Sequence, residues 1–371
     1  MISALRGQLH QALVGREQEV DILLTALLAR QHAVLLGPPG TAKSLLVKLL
    51  SDAMHCSYFE LLFTAFTVPD EVFGPFDIAA LQRGERPRKD TKGFLPEAEM
   101  AFLDECFKAN SGVLNALLTA LNERKFDNAG ERVSIPLRLA VGASNEYPAD
   151  ESLAALYDRF MLRAWVEPLG TKAKMVQLLQ APEPSISTKL TLEQLAKMQA
   201  TVAKLPVPVE VMEGMAECRI ELAKEGVSIS DRRFRASLRT VQAHAFLEGR
   251  AWVGLADLVA LADCWWDKHD QRPIVLAKLT AFAAPVFAKA QRLYDAAYEL
   301  YEQAMKAQPG ELPSFISKLQ AVESRMCELK PSAEESAKVG DLKGKAVQLT
   351  NEVAGRHLAA NPSIRSILGR V

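Results

Sequence analysis

The chain has few cysteines, and none of them stands at a spacing typical of a metal site or a redox motif. Five cysteines in 371 residues, at positions 56, 106, 218, 264 and 327, include no C-x-x-C pair. A disulfide framework or a zinc finger would need paired spacings. We therefore expect reduced thiols, as in the cytoplasm. Since the six histidines are scattered, we also expect no metal site built from histidine and cysteine.

Long apolar runs and an excess of one charge are missing as well. The formal net charge is −1, from 44 Lys and Arg against 45 Asp and Glu, which gives no support for a dedicated nucleic-acid binder. No apolar stretch reaches the roughly 20 residues that a transmembrane helix needs. The first twenty residues contain Arg6 and Arg16 besides acids, so we expect no signal peptide. The length suits two or three domains with cores of their own.

What is present begins with a glycine-rich turn between a short apolar strand and a helix. The strand is Ala33–Leu36, and the turn and the start of the helix read Gly37-Pro38-Pro39-Gly40-Thr41-Ala42-Lys43-Ser44-Leu45. Such an order directs backbone N–H groups and the positive end of the helix at an anion. In loops of this kind the lysine reaches the outer phosphates of a nucleotide and the hydroxyl that follows it ligates Mg²⁺. We therefore predict nucleotide binding by Lys43 and Ser44.

One position departs from the general phosphate-loop pattern, which has glycine where this chain has Ala42. A methyl group is tolerated there if the residue already has a helical conformation with negative φ, and poorly tolerated at positive φ. Because the strand, turn and helix are otherwise intact, the sequence still predicts a nucleotide site. The substitution Ala42→Gly is expected to be close to neutral.

Two further apolar strands end in polar side chains that suit ATP hydrolysis. Met100–Leu103 is followed by Asp104 and Glu105, and P-loop enzymes use an aspartate in that place to hold Mg²⁺. We assign Glu105 to polarising the attacking water. Arg138–Ala143 precedes Asn145, whose amide can hydrogen-bond that water or the γ-phosphate. Taken alone, the two acids also suit a helix N-cap, and the asparagine suits an ordinary turn.

The order of elements predicts an α/β P-loop core followed by helices. Residues 1–168 alternate short strands with helices, which predicts a five-stranded parallel sheet flanked by helices. Residues 171–268 are predicted to form a helical domain, and residues 273–358 a helical bundle. The expected strands are 33–36, 57–62, 99–103, 138–143 and 161–166.

Two narrow apolar seams support the bundle. Residues recur at alternating steps of three and four, which places them on one face of each helix. The first seam is Phe315, Leu319, Val322, Met326 and Leu329, and the second is Val339, Leu342, Ala346, Leu349 and Val353. We expect three antiparallel helices that pack along these seams.

Together these motifs resemble the AAA+ ATPases, and more narrowly the MoxR family. The resemblance is carried by the loop Gly37–Ser44 and by Leu103-Asp104-Glu105, Ala143-Ser144-Asn145 and Leu156-Tyr157-Asp158-Arg159-Phe160. Residues 68–75, residues 93–99 and Ser230-Asp231-Arg232-Arg233 are most similar to the regulatory ATPase variant (RavA-like) subgroup. The similarity is specific over residues 1 to about 268 and general beyond them.

The resemblance implies a homo-hexameric ring that binds ATP between its subunits, with residues 171–268 as a helical lid. It implies that Arg159 reaches the γ-phosphate held by a neighbouring subunit. It also implies that Arg232 senses nucleotide within its own subunit, with Arg233 as the competing assignment. Val14 and Gly15 would lie near the adenine, and the loop from Gly37 to Leu45 would contact ATP. Members of the family act as chaperone-like remodellers, often beside a protein with a von Willebrand factor A domain.

Two segments are predicted to form hairpins that face the axial channel of such a ring. Residues 76–94 carry turn residues and many charges, and residues 125–132 have turn chemistry between Phe126 and Val133. The alternative for both is an exposed loop. The basic residues in the first segment are interspersed with acids, which is more typical of a solvated face than of a nucleic-acid patch.

The sequence thus predicts a cytoplasmic ATP-driven hexameric ring that remodels or matures a partner protein, with ATP and Mg²⁺ as ligands. Two other classes remain open. A DNA-directed ring motor would be favoured by DNA-stimulated hydrolysis. A scaffold with ATP as a structural ligand would be favoured by slow hydrolysis that no partner stimulates.

Overall fold

The computed structural model describes residues 1–148, 151–331 and 333–360. Its contacts divide the chain into a unit over Met1–Val275 and a second unit that begins at Leu276. Within the described ranges, no helix is long and apolar enough to cross a membrane. No group of three or more His, Cys, Asp or Glu side chains in those ranges is arranged to hold a metal ion.

A five-stranded parallel sheet forms the centre of the first unit. The strands, in chain order, are β1 (His32–Leu36), β2 (Tyr58–Leu62), β3 (Met100–Asp104), β6 (Leu139–Ser144) and β7 (Phe160–Trp165). Their spatial order is β2-β3-β6-β1-β7, and every neighbouring pair is parallel. β1 and β6 are buried along their whole length, as central strands covered by helices on both faces must be. The predicted sheet is confirmed.

Short helices connect and cover these strands. They are α1 (Ile2–Ala12), α2 (Glu17–Ala29), α3 (Lys43–Met54), α4 (Pro69–Phe73), α5 (Ile78–Gln82), α6 (Ser111–Glu123) and α7 (Glu151–Tyr157). Most of α2 is buried, because it packs against β7 and against later helices of the same unit. The side chain of Asn110 caps α6 by accepting the N–H groups of Gly112 and Val113.

Of the two predicted hairpins, one is confirmed and the other is wrong in part. β4 (Lys125–Asn128) and β5 (Glu131–Ser134) pair antiparallel around Ala129 and Gly130, both of which have positive φ, as a tight hairpin turn requires. Residues 76–94 instead fold back around the short helix α5, and their strand pairing is limited to one bridge between Phe76 and Lys89.

Helices also make up the rest of the first unit. They are α8 (Lys172–Gln180), α9 (Leu192–Lys204), α10 (Val209–Lys224), α11 (Asp231–Leu247) and the 3-10 helices Leu255–Asp263 and His269–Gln271. The next helix, α12 (Arg272–Ala283), begins in the first unit and continues past Val275. α11 packs on α2, α9 and the Leu255–Asp263 helix. Its N-cap is Ser230, whose hydroxyl accepts the Arg233 N–H. This cap fixes the first turn of α11, which carries Arg232 and Arg233.

The second unit contains a bundle of three helices. They are α13 (Pro285–Lys306), α14 (Leu312–Cys327) and α15 (Ala333–Ala360), and each contacts the other two. Eight of the ten residues of the two predicted seams belong to its buried apolar core, and the other two, Phe315 and Leu329, are partly buried and pack against it. The sequence reading missed the third seam, on α13, where Ala290, Ala297 and Ala304 are buried at seven-residue intervals. Their small side chains allow the helices to approach closely.

Candidate nucleotide-binding site

The phosphate loop is the turn Gly37–Ala42 between β1 and α3. Its first N–H, on Gly37, donates to the Ser144 carbonyl at the end of β6, 3.0 Å away. Gly37 has a φ of 135°, and a Cβ there would lie 2.3 Å from the carbonyl oxygen of Val166, just after β7. Only glycine fits this position. The loop therefore begins where β1, β6 and β7 end side by side.

Ala42 adopts a left-handed conformation, with φ 65° and ψ 26°. The methyl group is easily tolerated only at negative φ, and Ala42 does not meet that condition. For a residue with a Cβ this conformation costs about 1 to 2 kcal/mol. The rest of the loop holds it in place: the Thr41 hydroxyl donates to the Pro38 carbonyl at 3.0 Å.

The ammonium group of Lys43 turns back over the loop. It donates to the carbonyl oxygens of Gly37 and Pro38, at 2.9 and 2.8 Å. Burial lowers the pKa of Lys43, while the carboxylates of Asp104 and Glu105 act in the opposite direction. Carbonyl dipoles hold a cation more weakly than a charged oxygen does. The ammonium is therefore poised to exchange these partners for phosphate oxygens.

Asp104 and Glu105 lie at the carboxyl end of β3, on the same edge of the sheet as the phosphate loop. Glu105 has a left-handed backbone, with φ 51°, and its N–H donates to Asp104 Oδ1 at 3.0 Å. Its Oε2 lies 3.3 Å from the Nζ of Lys108 but forms no hydrogen bond within the described part of the chain. The backbone turn thus separates the two acids, so that they can take different roles.

The oxygen donors fit Mg²⁺. Ser44 is exposed in the first turn of α3, and Asp104 is half-buried at the end of β3. Burial raises the pKa of Asp104, the N–H of Glu105 lowers it, and the negative charge of the Glu105 carboxylate raises it. The two effects that raise the pKa both oppose the charged carboxylate. A divalent cation would offset both effects, and carboxylate and hydroxyl oxygens are the ligands that Mg²⁺ prefers.

Asn145 stands beside the phosphate loop. It directly follows β6, whose last residue, Ser144, pairs in register with Leu36 and accepts the Gly37 N–H. The Asn145 side chain is exposed. The sheet therefore brings Asn145, Asp104 and the loop to one edge, as their positions after neighbouring parallel strands predict.

Arg159 lies apart from these residues. It sits between α7 and β7 and is only loosely paired with Asp158, with 3.6 Å between the charged atoms. Its Nε is buried and donates to no partner among the described residues. Burial lowers the pKa of Arg159, and the positive charge of Arg232 lowers it further. Two arginines thus lie close enough at this edge to repel each other, which favours an anion between them.

The two neighbouring arginines of α11 differ completely in their surroundings. Arg233 is buried and donates to Asp158 at 3.0 Å and to Asp267 at 2.9 Å. Arg232 is exposed and donates to Asn122 at the end of α6. Arg233 therefore holds the fold together. Arg232 lies near Arg159, whose pKa its positive charge lowers.

Comparisons with known proteins agree with this geometry. The family model described as the MoxR domain in MoxR-vWA-beta-propeller ternary systems matches residues 1–205, and that of an AAA lid domain matches residues 210–279. The chain belongs to the MoxR family of AAA+ ATPases.

Several relatives of this MoxR-family chain are similar over most of its first unit. The uncharacterized protein MJ0812 of Methanocaldococcus jannaschii is 38% identical over 272 residues, which are 73% of each chain. Chaperone MoxR1 of Mycobacterium tuberculosis is 28% identical over 163 residues, 42% of this chain and 41% of the relative. A crystal structure from Cytophaga hutchinsonii, described as a candidate ATPase, shares the fold with a TM-score of 0.59 at 19% identity, covering 74% of this chain and 91% of that one.

The MoxR-family site also has a cleft beside the phosphate loop where a nucleotide base can lie. It encloses about 770 Å³, and its wall includes Val14, Leu45 and the loop from Pro39 to Ala42. Gly15, next to Val14, has a φ of 70°, and a Cβ there would lie 2.6 Å from Leu169. The structure thus places both residues that were expected near adenine at this cleft or against its wall.

Several residues of the cleft were missed by the sequence reading. Arg16 is the cation next to Gly15 in the chain, and Leu169, Met175, Leu178 and Leu179 form an apolar wall. For α8 the structure supplies the signal: none of its residues is buried, and an exposed apolar surface marks a binding face. Nothing local distinguishes Arg16, because its role depends on a loop 25 residues away.

Proposed function

We propose that this chain assembles into a hexameric ring that couples ATP hydrolysis to the remodelling or maturation of a partner protein in the cytoplasm. The observation that carries the proposal is the separation of Arg159 from the phosphate loop. Arg159 precedes β7, whose first residue pairs with His32 at the start of β1, whereas the loop follows the end of β1. Arg159 is only loosely paired with Asp158, and an anion beside it would come from another subunit. Repeated head-to-tail contacts of this kind close into rings.

Within the proposed site each side chain has one task. Lys43 and the loop N–H groups bind the phosphates, and Ser44 and Asp104 hold Mg²⁺. The carboxylate of Glu105 polarises the attacking water. Bound Mg²⁺ would supply charge neutralisation at the phosphates. Asn145 positions the water from the end of β6.

Arg159 would stabilise the charge that spreads over the phosphoryl oxygens in the transition state. We also revise the role expected for Arg232. Like Arg159, it would act on the nucleotide of the neighbouring subunit. The burial of Arg233 supports choosing Arg232 as the lid residue that contacts nucleotide.

The remodelling function is supported by the family description and by a relative named as a chaperone. The matching family model is described by its place in systems with a von Willebrand factor A protein, and one relative is named Chaperone MoxR1. We therefore propose a client or a von Willebrand factor A domain protein as the partner. The basic residues of the 76–94 segment are largely paired with acids, Arg83 with Glu85 and Arg88 with Asp77, so we propose no role for nucleic acid.

We also propose a division of the chain into an ATPase core at residues 1–168, a lid at residues 171–268 and a partner-binding arm. The lid match extends to residue 279, and α12 runs through to Ala283 with Val275 and Leu279 fully buried. We accordingly move the proposed start of the arm from residue 273 to α13.

Mixing two inactive variants tests the shared site. Arg159→Ala should bind ATP and fail to hydrolyse it, and Lys43→Ala should bind no ATP. In mixed rings an intact Lys43 can meet an intact Arg159 on its neighbour, so turnover should recover, and the same should hold for Arg232→Ala. The matched control mixes Arg159→Ala with Lys43→Ala/Arg159→Ala, in which no interface is complete. Failure of every ratio to restore ATP turnover, in rings shown to exchange subunits, would exclude the trans-acting role.

A further inference from the structure

Arg16 lies behind the phosphate loop and is 7% exposed. It precedes α2, and its Nε donates to the Thr41 carbonyl at 3.1 Å, while its Nη1 donates to the Gly15 carbonyl at 3.3 Å. The guanidinium thus joins the loop to the segment that contributes Val14 and Gly15 to the cleft. A buried arginine is costly to desolvate, so its position against a loop carbonyl calls for an explanation.

The contact with Thr41 sets the direction of the next N–H group. A trans peptide is planar, so the Thr41 carbonyl and the Ala42 N–H point in opposite directions. Holding the carbonyl towards Arg16 turns the Ala42 N–H away from Arg16 and fixes the peptide that precedes the left-handed Ala42. The adjoining residue, Lys43, carries the ammonium that lies over the same loop.

The charge of Arg16 is only partly balanced. Its one carboxylate neighbour among the described ion pairs is Glu19, with 3.6 Å between the charged atoms, and both side chains are about nine-tenths buried. Arg16 and Lys43 are near enough for Arg16 to lower the pKa of Lys43. Two cations that repel each other beside one cleft are both stabilised when a polyanion enters it.

We propose that Arg16 is a positioning residue for the nucleotide phosphates, which acts through the Thr41 carbonyl by aiming the Ala42 N–H and adds positive charge to the cleft. The inference rests on the proposed function in one respect, that ATP binds at the phosphate loop. Arg16 touches neither the acids of β3 nor the arginine edge, so it serves binding and has no part in the hydrolytic step.

The test compares three variants. Arg16→Met/Glu19→Gln removes both charges, so that no unpaired ion stays buried. Arg16→Lys keeps the charge and loses the guanidinium geometry. Arg6→Met removes a partly buried arginine that pairs with Asp21 and Glu248 away from the loop, and it serves as the control for the loss of an arginine ion pair elsewhere in the unit.

For Arg16→Met/Glu19→Gln we expect the Kd for ADP and the KM for ATP to rise about tenfold, because the Ala42 N–H is no longer aimed at the phosphates and one positive charge is lost from the cleft. We expect kcat to change less than about twofold. Arg16→Lys should fall between this variant and the wild type. Adenosine, measured by competition with a fluorescent nucleotide, should bind all forms equally, because it has no phosphates. Arg6→Met should bind ADP as the wild type does.

Other outcomes overturn the inference. Unchanged affinity for ADP, or an equal loss for ADP and adenosine, would mean that Arg16 only supports the fold. A fall in kcat at unchanged KM would place it in the hydrolytic step. A wild-type protein that binds no ATP would overturn the proposed function together with this inference, whereas normal binding by the wild type and by the Arg16 variants would overturn this inference alone.

Discussion

The two units of this chain put their polar residues to different uses. In residues 1–275, polar side chains stand at the ends of parallel strands, where Asp104, Glu105 and Asn145 meet one loop. The described part of the second unit instead holds its three helices together with apolar seams, and its described ion pairs lie on the surface, as Lys345 with Asp341 does. The first unit therefore carries the candidate ATP site, and we propose the second as an arm that binds a partner.

This contrast can be tested because the four tryptophans, at positions 165, 252, 265 and 266, all lie in the first unit. Tryptophan fluorescence therefore follows unfolding of the first unit alone. Circular dichroism also reports the helices of the second unit. Each variant below can be assigned to one unit with these two probes and an ATPase assay.

The largest effect is expected at the carboxylate that we assign to the attacking water. Glu105→Gln keeps the size of the side chain and removes its basicity, so ATP turnover should fall by about 10²- to 10⁴-fold, while ATP binding persists. The control is Glu193→Gln, an exposed carboxylate on α9, which should hydrolyse ATP normally. Hydrolysis at the wild-type rate by Glu105→Gln would show that another group polarises the water. Otherwise this variant also serves as a trap that retains clients for pull-down.

The next effect concerns the second unit. Leu319 is 1% exposed in the bundle core, and Leu319→Asp places a charge there without a partner, at a cost of about 3 to 5 kcal/mol. The helical signal of the bundle should be lost, while tryptophan fluorescence and ATP binding remain. The exposed neighbour provides the control, Gln320→Asp, which should change neither probe.

Removing the second unit should separate its role from that of the ATP site. A chain that ends at Ala284, after α12, should bind ATP with unchanged affinity and no longer bind its partner, since the phosphate loop and its polar neighbours all lie before residue 275. A loss of ATP binding by this shortened chain, with its tryptophan fluorescence intact, would contradict the assignment of the bundle as an arm.

Acid should destabilise the first unit through His32. Its Nε2 donates to the Leu121 carbonyl at 3.0 Å and its Nδ1 accepts the Ala140 N–H at 3.0 Å, and burial lowers the pKa of His32 to about 3. The unfolded chain takes up a proton near pH 6.5 and the folded one does not. Stability is therefore complete above pH 6.5 and falls as the pH drops from there towards 3.

Urea unfolding followed by tryptophan fluorescence measures this effect. Between pH 6 and 4 the wild-type free energy of unfolding should fall by an additional increment of up to about 1.4 kcal/mol per pH unit, and His32→Gln should remove that increment. An identical pH slope in His32→Gln would show that His32 is already protonated in the fold.

The smallest effect is expected at Ala42, where the structure changes the expectation. Glycine adopts positive φ without steric cost, so Ala42→Gly should raise the free energy of unfolding by about 0.5 to 1 kcal/mol, less than the full strain because glycine is also freer when unfolded. ATP turnover should change little. A marked loss of activity would instead indicate that the methyl group makes a specific contact in the loop.

Much of the fold was predictable because short local patterns in the sequence determine it. Short, largely apolar runs predicted all five strands of the sheet, and the steps of three and four predicted two of the three bundle seams. The alanine seam of α13 was not predicted, because alanine is also common on exposed helix faces. The helix α5 was not predicted either, because the residues around it are rich in turn residues and charges, which suit a hairpin equally well.

The sequence by itself determined the phosphate loop, the acids after β3 and the asparagine after β6, because each motif adjoins a strand and parallel strands bring their ends to one edge. Only the tertiary structure distinguishes the surroundings of Arg232 from those of Arg233, which share one helical turn. Asp158 and Asp267, far away in the chain, pair with Arg233 and leave Arg232 exposed. The same holds for Ala42 and Arg16, since a backbone angle and a buried guanidinium are set by the contacts that surround them, which no local pattern records.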